Sequence, residues 1–585
     1  MTAHSAIEWM EWGPEAFERA RRTNRPILLG ISAVWCHWCH VMDQTTYSDP
    51  HVIELVGERF VPVRVDNDRR PDINVRYNMG GWPTTAFLSP NGEILTGATY
   101  VPPDDFARML VQVSDVWNQE REDIEQRIRA RRASTTPQRR ASAAELDASA
   151  VEHIARTIVA DYDETHGGFG SEPKFPQADA LNFLLLLYRH DRAEGKTDER
   201  VYEILARTAL AMARGGMYDP VEGGFFRYST TRDWSIPHFE KMAEDHAGLV
   251  RFYSDLYRVS GNEPFAQTVR SALRWLRSVL RNPDSPFFGG SQDADEAYYA
   301  LPLEERRARQ APFVDRTVYT NWNADLATAF IAASLALDDD TLLEDARATV
   351  LALAETMLDE DTQLARHFMP PGGSPQFGPL LADQVALVEA FLDLHAASGE
   401  PAFLERARRL CDATIAHLRS DSGGFVDTRS DEQLGSLAFE HRPLEENAKF
   451  ADLLFRLGAS VREERYAQLA RETLLSLDGL WQRAGSFAAP YGAALLRVGS
   501  EPLTIAIVGE PSASAPLREA ALRLPNPLAI AFTLPPDPAV LEGRGYLESD
   551  EPLAYICAGT RCAAPARDAT TLQESYDALR QLPVR

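Results

Sequence analysis

A chain of 585 residues is too long for one hydrophobic core and divides into several units. Its 44% hydrophobic and 25% charged residues suit a globular protein, while a formal net charge of −26 repels phosphate backbones and anionic lipid, so neither nucleic acid nor membrane is an expected partner. No stretch approaches the roughly 18–20 apolar residues that cross a bilayer. The start MTAHSAIEWMEWGPEAF lacks the basic and apolar segments of a secretory signal, so a cytoplasmic location is expected. Five cysteines in so long a chain make no disulfide framework; in a reducing compartment, close pairs point to redox chemistry or metal binding.

In chain order, PILLGISAV (26–34) is an apolar run of strand length, and the stretch from Cys36 meets no proline until Pro50, so a strand and then a helix are expected. Further strands are expected at Phe60–Asp66 and Thr84–Leu88. The latter meets the Pro90-Asn91-Gly92 turn, and Glu93–Tyr100 completes a hairpin. A closing helix near Asp104–Ala130 gives an α/β domain of thioredoxin size over 1–130, and the polar, basic Arg131–Glu145 reads as a linker.

From 146 to 499 long amphipathic helices alternate with Gly-rich loops. Polar residues precede or enter apolar helices at Gln177–Ala180, Asp245–Ala247, Asn323–Ala324, Asp383–Ala386 and Glu446–Ala448. Glycine pairs recur at Gly167-Gly168, Gly223-Gly224, Gly289-Gly290 and Gly423-Gly424, three of them followed by Phe. Such repetition means stacked helical hairpins. Closed on themselves they form an all-α toroid, whose polar helix starts and Gly-rich loops face one mouth, the default pocket. Residues 500–585 switch to TIAIVG, LAIAFTL and LAYICAG, with helices expected at Ala515–Leu524 and Thr570–Leu582, a small α/β module.

Cys36-His37-Trp38-Cys39 falls where a strand ends and a helix begins, so the helix dipole favours thiolate at Cys36, the expected nucleophile. Cys39, one turn on, is the expected resolving thiol. His37 and His40 flank the pair, as ion-pair partners or proton relays. Three other readings stand beside this one. Cys-x-x-Cys-His formally matches covalent haem attachment. Two Cys and two His are soft metal ligands, although four residues in one short segment close a tetrahedron poorly. The thiols can also be plain structure in a binding module.

PILLGISAVWCHWCHVM, FVPVRVDNDRRPDIN, GGWPTTAFLSPNGEILTGATYVPP, GGFGSEPKFP, MARGGMYDPVEGGFFRYSTTRDWSIPHFEKMAEDHAGL and SQDADEAYY resemble the YyaL-like family, which includes the spermatogenesis-associated thioredoxin-domain proteins. The resemblance runs through nearly the whole chain. It implies a thioredoxin-like domain joined to a six-hairpin toroid like those of N-acylglucosamine epimerases and six-hairpin glycosidases, an architecture rather than a reaction. It also implies a cis proline at Trp82-Pro83, facing the Cys pair and lying beside an extended substrate segment. The sequence departs from the family pattern where Tyr77-Asn78-Met79 runs almost directly into Gly80-Gly81-Trp82, so a helix there is expected to be short. It departs again where Phe239–His246 reads FEKMAEDH, with an acid and a His in place of a Tyr and an amide.

In the toroid, Arg227, Tyr228, His238, Glu240, Lys241, Asp245, His246, Asp293 and Asp295 come from the matching loops and are expected at the mouth. Trp234, Tyr298, Tyr299 and Trp322 add planar faces for a sugar-like ligand. Asp293 with Asp295, or a His and Glu pair, supply the acid and base that glycoside hydrolysis or epimerisation needs. The competing reading is that these side chains cap helices and close loops. Cys557 and Cys562 match a C-terminal cysteine pair of the family at a spacing that permits a loop-closing disulfide, the other reading being disulfide exchange with Cys36 and Cys39. Cys411, among apolar neighbours on a helix, reads as a buried small hydrophobe.

The leading functional expectation is a thiol–disulfide oxidoreductase-like module, fused to a toroid that binds a sugar-like or peptide ligand. Its partner is a thiol or disulfide protein or peptide, and no cofactor or metal is assigned. The rivals are a carbohydrate isomerase, epimerase or hydrolase regulated by the thioredoxin-like part, and a non-enzymatic binding scaffold.

Overall fold

β1 (Ile27–Ser32) is apolar through Ile31 because the sheet it centres is covered on both faces. Ile27, Leu29 and Ile31 enter one core with Phe17, Val63 and Tyr77, while Leu28 enters the other with Met42, Val56 and Phe106. The computed structural model describes residues 6–134, 145–196, 198–429, 433–547 and 549–581. It divides into two compact units, Met1–Ala141 with Asp427–His441, and Ser142–Val426 with Arg442–Arg585.

In the first unit the sheet order is β2 (Val61–Asp66), β1, β3 (Thr84–Leu88), β4 (Ile94–Ala98). β1 and β2 are parallel and the other pairs antiparallel. The helix expected after Cys36 ends early: α2 spans His37–Gln44 and α3 spans Pro50–Arg59. The break is chemical, because the Asp49 carboxylate accepts from the amides of His51 (2.9 Å) and Val52 (3.0 Å) and Pro50 takes the first helical position. A helix not anticipated from the sequence, Pro14–Thr23, covers one face with Ala16, Phe17 and Ala20. The helix expected to be short before Gly80 is Pro71–Tyr77, seven residues long. Arg76 grips Asp427 with both arms (2.6 and 3.1 Å), and the Tyr77 hydroxyl donates to Gly92 O (2.8 Å) while accepting from Ser436 N–H (2.7 Å). A loop from far along the chain therefore completes this unit, and its Leu437 joins the core. The closing helix runs Pro103–Ser134; of the expected linker Arg131–Glu145, residues 135–144 lie outside the described residues.

In the second unit, helices 178–193, 243–260, 320–337, 381–398, 444–461 and 489–498 each touch the next, and the last touches the first. They form a closed inner ring. Five are followed by an outer helix, and 149–160 packs on 489–498 to complete the sixth hairpin. The inner helix 320–337 is buried on nearly every side, whereas the outer helices bury one stripe. This is the expected (α/α)6 toroid.

The repeated polar positions hold the hairpin loops. In four successive loops an inner-helix side chain accepts a backbone N–H: His246 Nε2 from Phe225, Asn323 Oδ1 from Phe288, Gln384 Oε1 from Ala365 (2.8 Å each) and Asn447 Oδ1 from Phe425 (2.6 Å). Glycine is required in two of these loops: Gly224 has φ +84°, and a Cβ there would lie 2.8 Å from His246 Nε2, while a Cβ on Gly424, at φ +68°, would lie 2.7 Å from Asn447 Oδ1; Phe287 and Leu364 take the place in the other two. Since three of the four acceptors are amides, His246→Asn is expected to unfold within about 1 kcal/mol of wild type. His246→Ala leaves the Phe225 amide buried and unmet and is expected to cost about 1–3 kcal/mol. Thermal melts of both variants check this.

The C-terminal part carries a sheet in the order 530–534, 503–508, 553–558, 561–562, the first pair parallel and the others antiparallel. Its helices span Ala515–Leu522 and Ala569–Gln581, and Leu582 lies outside the described residues. No described helix is long and apolar enough to cross a membrane.

Candidate functional site

Cys36 is the N-cap of α2, and its sulfur accepts the Cys39 N–H at 3.2 Å. The two cysteines are joined in a disulfide with Cα atoms 5.2 Å apart. Only 4% of Cys36 and 2% of Cys39 is exposed. Aromatic rings frame the pair: Trp35 donates to Asp68 (2.7 Å) and meets Trp82 edge-on at 5.7 Å, while Trp38, 46% exposed, leans on Tyr100. The Trp82–Pro83 peptide is cis. Beneath Cys39 a cavity of about 10 Å³, one water's worth, is bounded by Asp43, Arg64 and Pro83. Arg64 holds Asp43 bidentately at 2.8 and 2.7 Å. His37 is exposed. His40 is half-buried, and burial lowers its pKa against the pull of Asp43. At neutral pH His40 is thus a neutral proton acceptor rather than a counter-ion, which leaves the helix terminus as the main support for a thiolate. Among the described residues, no group of three or more His, Cys, Asp or Glu is arranged to hold a metal ion.

At the toroid mouth the structure gathers some of the expected residues and withdraws others. The Tyr228 and His238 rings stack at 4.9 Å across a two-residue strand pair, with Phe175 on the other face of Tyr228 and Arg227 beside it. His238 Nδ1 meets Glu240, which is buried. Asp245 and Asp293 are both pushed up to about 7, by burial first and then by neighbouring carboxylates, Glu240 acting on each. One carboxylate oxygen of each is buried and accepts no hydrogen bond among the described residues.

Four expected site residues serve the scaffold instead. Trp234 is fully buried and donates to Gly167 O (3.1 Å). Lys241 is fully buried against Asp219 Oδ2 and Gly223 O, at 2.8 Å each. His246, pulled down to about 3 by burial, is neutral and spends both nitrogens on backbone groups. Asp295 accepts from the Tyr298 amide (2.8 Å) at the start of a short helix. Of the aromatic faces, Tyr298, Tyr299 and Trp322 are buried, the tyrosines under Arg306 and Trp322 against Tyr319.

The sequence reading missed charged residues of the inner helices. Lys449 pairs with Glu445 (2.6 Å) and Asp179 (3.6 Å), and Asp325 is pushed up to about 8 by burial. The available signal was a lone charge inside an otherwise apolar helix, as in TNWNADLATAF. A carboxyl raised in the fold binds its proton in the native state at pH values where the unfolded chain, titrating near about pH 4, has lost it, so such a group makes stability fall as pH rises from about 4 to about 8. Asp325→Asn is therefore expected to stabilise the protein at pH 8, on the order of 1–2 kcal/mol after solvent screening, and to change little at pH 4. Thermal melts of both proteins across that range check it.

Residues 1–134 match the family described as Thioredox_DsbH, protein of unknown function DUF255. The chain is 34% identical to rat (Rattus norvegicus) spermatogenesis-associated protein 20 over 316 residues, 50% of this chain and 39% of that protein, so the match spans about two fifths of that relative. It is 24% identical to uncharacterized protein B0495.5 of Caenorhabditis elegans across 98% of this chain and 95% of that one. These are relatives of the kind the sequence motifs pointed to, and the residues that match Thioredox_DsbH include Cys36 and Cys39. Among solved structures, D-mannose isomerase is 11% identical with a TM-score of 0.48, covering 61% of this chain and 99% of that one. The ring itself rests on its own helix contacts.

Proposed function

We propose that this protein is a thiol–disulfide oxidoreductase acting through Cys36 and Cys39, joined to a helical ring that binds a sugar-like or peptide ligand. The observation that carries the reading is the Cys pair itself, within bonding distance at the first turn of α2 and framed by the cis Trp82–Pro83 peptide. In the reduced protein, the Cys36 thiolate attacks one sulfur of a partner disulfide; that bond breaks, and the departing partner sulfur takes up a proton. Cys39 gives up its proton, for which His40 is a neutral acceptor, and attacks Cys36 Sγ, so the second partner sulfur leaves. Two electrons pass to the partner and the Cys36–Cys39 disulfide remains, to be reduced by a dithiol. The cytoplasm, where dithiol reductants are at hand, is the compartment that suits this cycle.

Thiol trapping read by mass spectrometry across glutathione redox buffers is expected to show one two-electron transition at Cys36–Cys39. A pair that stays in one state throughout would sink the reading.

A second reading, a carbohydrate isomerase, epimerase or hydrolase, draws on Asp245 and Asp293 near 7 beside the His238–Glu240 pair and the stacked Tyr228 face. Sugar turnover lost in His238→Ala but kept when both Cys36 and Cys39 are serine would favour it. Partner capture without turnover in any variant would favour a scaffold.

A further inference from the structure

At the end of the ring where the inner helices finish, a cavity of about 190 Å³ is closed by residues 521–531 of the C-terminal part. Arg189, Arg251, Arg258, Arg456 and Arg497 line it. Such a gathering is not a matter of composition, since acids outnumber Lys and Arg by 86 to 60 in the chain.

The nearby carboxylates do not balance these guanidinium groups. Arg251 pairs with Glu389 (2.6 Å), Arg456 with Asp393 and Arg497 with Asp452 (2.6 Å), while Arg189 and Arg258 share Asp255, each at 3.2 Å. Five cations thus meet four anions. Arg258 also donates to Leu522 O (2.7 Å) and Arg497 to Leu528 O (2.8 Å), which seats the closing segment. Arg189 has only its half of Asp255 among the described residues, although a guanidinium carries five donors and this one is mostly buried. Burial lowers its pKa, and Arg258, Arg251 and Arg497 add to that effect against Asp255, the signature of positive charge crowded around one group. Compensation of helix ends does not account for the set, because such compensation acts within the last turn, whereas Arg189, Arg251 and Arg456 lie deeper in helices 178–193, 243–260 and 444–461.

We propose that this cavity binds a phosphate group, as free phosphate or as the phosphomonoester of a small molecule of a few carbon atoms. Paired guanidinium forks recognise a tetrahedral oxyanion at several oxygens at once. The volume lies below the usual range of roughly 300–1,000 Å³ for ligand pockets, which excludes nucleotides and large sugars. Ile331, Leu335 and Leu392 in the wall give an apolar surface for a short carbon chain. This site is distinct from the Cys36–Cys39 pair and from the cluster around Glu240.

Titration calorimetry on the full chain, with inorganic phosphate and then a triose or pentose phosphate against chloride at equal ionic strength, tests the site. Saturable binding is expected, weakened about tenfold or more in Arg189→Met. Tighter binding of the ester identifies a metabolite ligand, and equal or weaker binding of the ester identifies free phosphate. Hydrogen exchange on the wild-type protein gives a readout that does not depend on the variant folding, with phosphate expected to protect residues 521–531 and the ends of helices 178–193 and 243–260. Absence of saturable binding by either probe, unchanged affinity in a folded Arg189→Met protein, or protection elsewhere would overturn the proposal.

Discussion

Asp219→Ala is expected to destabilise the second unit by about 3–5 kcal/mol, because it takes from buried Lys241 its carboxylate partner and leaves Arg306 with Glu222 alone, at 3.0 Å. Asp219 Oδ2 receives Lys241 Nζ at 2.8 Å and Arg306 Nη1 at 2.7 Å, and no more than 2% of any of these side chains is exposed. Burial alone would raise the Asp219 pKa, but the two cations outweigh it and hold the carboxyl below its usual range. Burial draws Lys241 down to about 8, so it remains charged at neutral pH and is enclosed by the Phe226, Trp275 and Tyr299 rings. The preceding loop repeats the arrangement, with Asp163 held by Lys174 (2.7 Å) and Arg232 (2.8 Å). Adding Lys241→Met to Asp219→Ala is expected to recover part of the loss, since removing both ends of a buried pair costs less than removing one. Calorimetry, with hydrogen exchange over residues 215–225 as the local readout, checks both; equal stability of Asp219→Ala and wild type would show that the triad is not holding the loop.

Cys36→Ser is expected to reduce disulfide exchange to the background of the buffer thiols, the largest effect on activity of any single change. A serine hydroxyl at the N-cap still accepts the Cys39 amide, so the fold is kept while the nucleophile is lost. Cys39→Ser is expected to behave oppositely: the first attack proceeds, resolution fails, and a mixed disulfide on Cys36 accumulates. In that variant the pH dependence of Cys36 alkylation is expected to have its midpoint below about 8.5, the value of a free thiol, because the helix terminus favours the anion. Turnover surviving in Cys36→Ser would remove the redox assignment.

Much of the fold is legible in short stretches of sequence. PILLGISAV reads as a buried strand, Cys36 falls at the strand-to-helix turn, and Gly-Gly-Phe marks three of the hairpin loops, at Gly167, Gly223 and Gly423. These signals are local: an apolar run, a residue that tolerates positive φ, a thiol at a helix start. The helices Pro14–Thr23 and Pro71–Tyr77 were equally marked, each opening on a proline that ends extended structure, but their short apolar faces are meaningful only beside the sheet.

The candidate sites were legible to different depths for the same reason. Cys36 and Cys39 are three residues apart, so sequence alone fixes their proximity. For the toroid residues the sequence shows only type and loop, and type does not reveal direction. His246 and Lys241 are buried in the scaffold, while Asp245 and Asp293 each hold a buried carboxylate oxygen that accepts no hydrogen bond among the described residues, because closure of the ring decides which side of each helix start and loop is core. Sequence by itself determined the strand order of local pieces, the helical repeat and the chemistry available at the thiol pair, all set by neighbours along the chain. Only the tertiary structure brought Arg189 to Arg497 and Asp427 to Arg76, since such pairs are joined by ring closure and loop docking across hundreds of residues, where no periodicity records the contact.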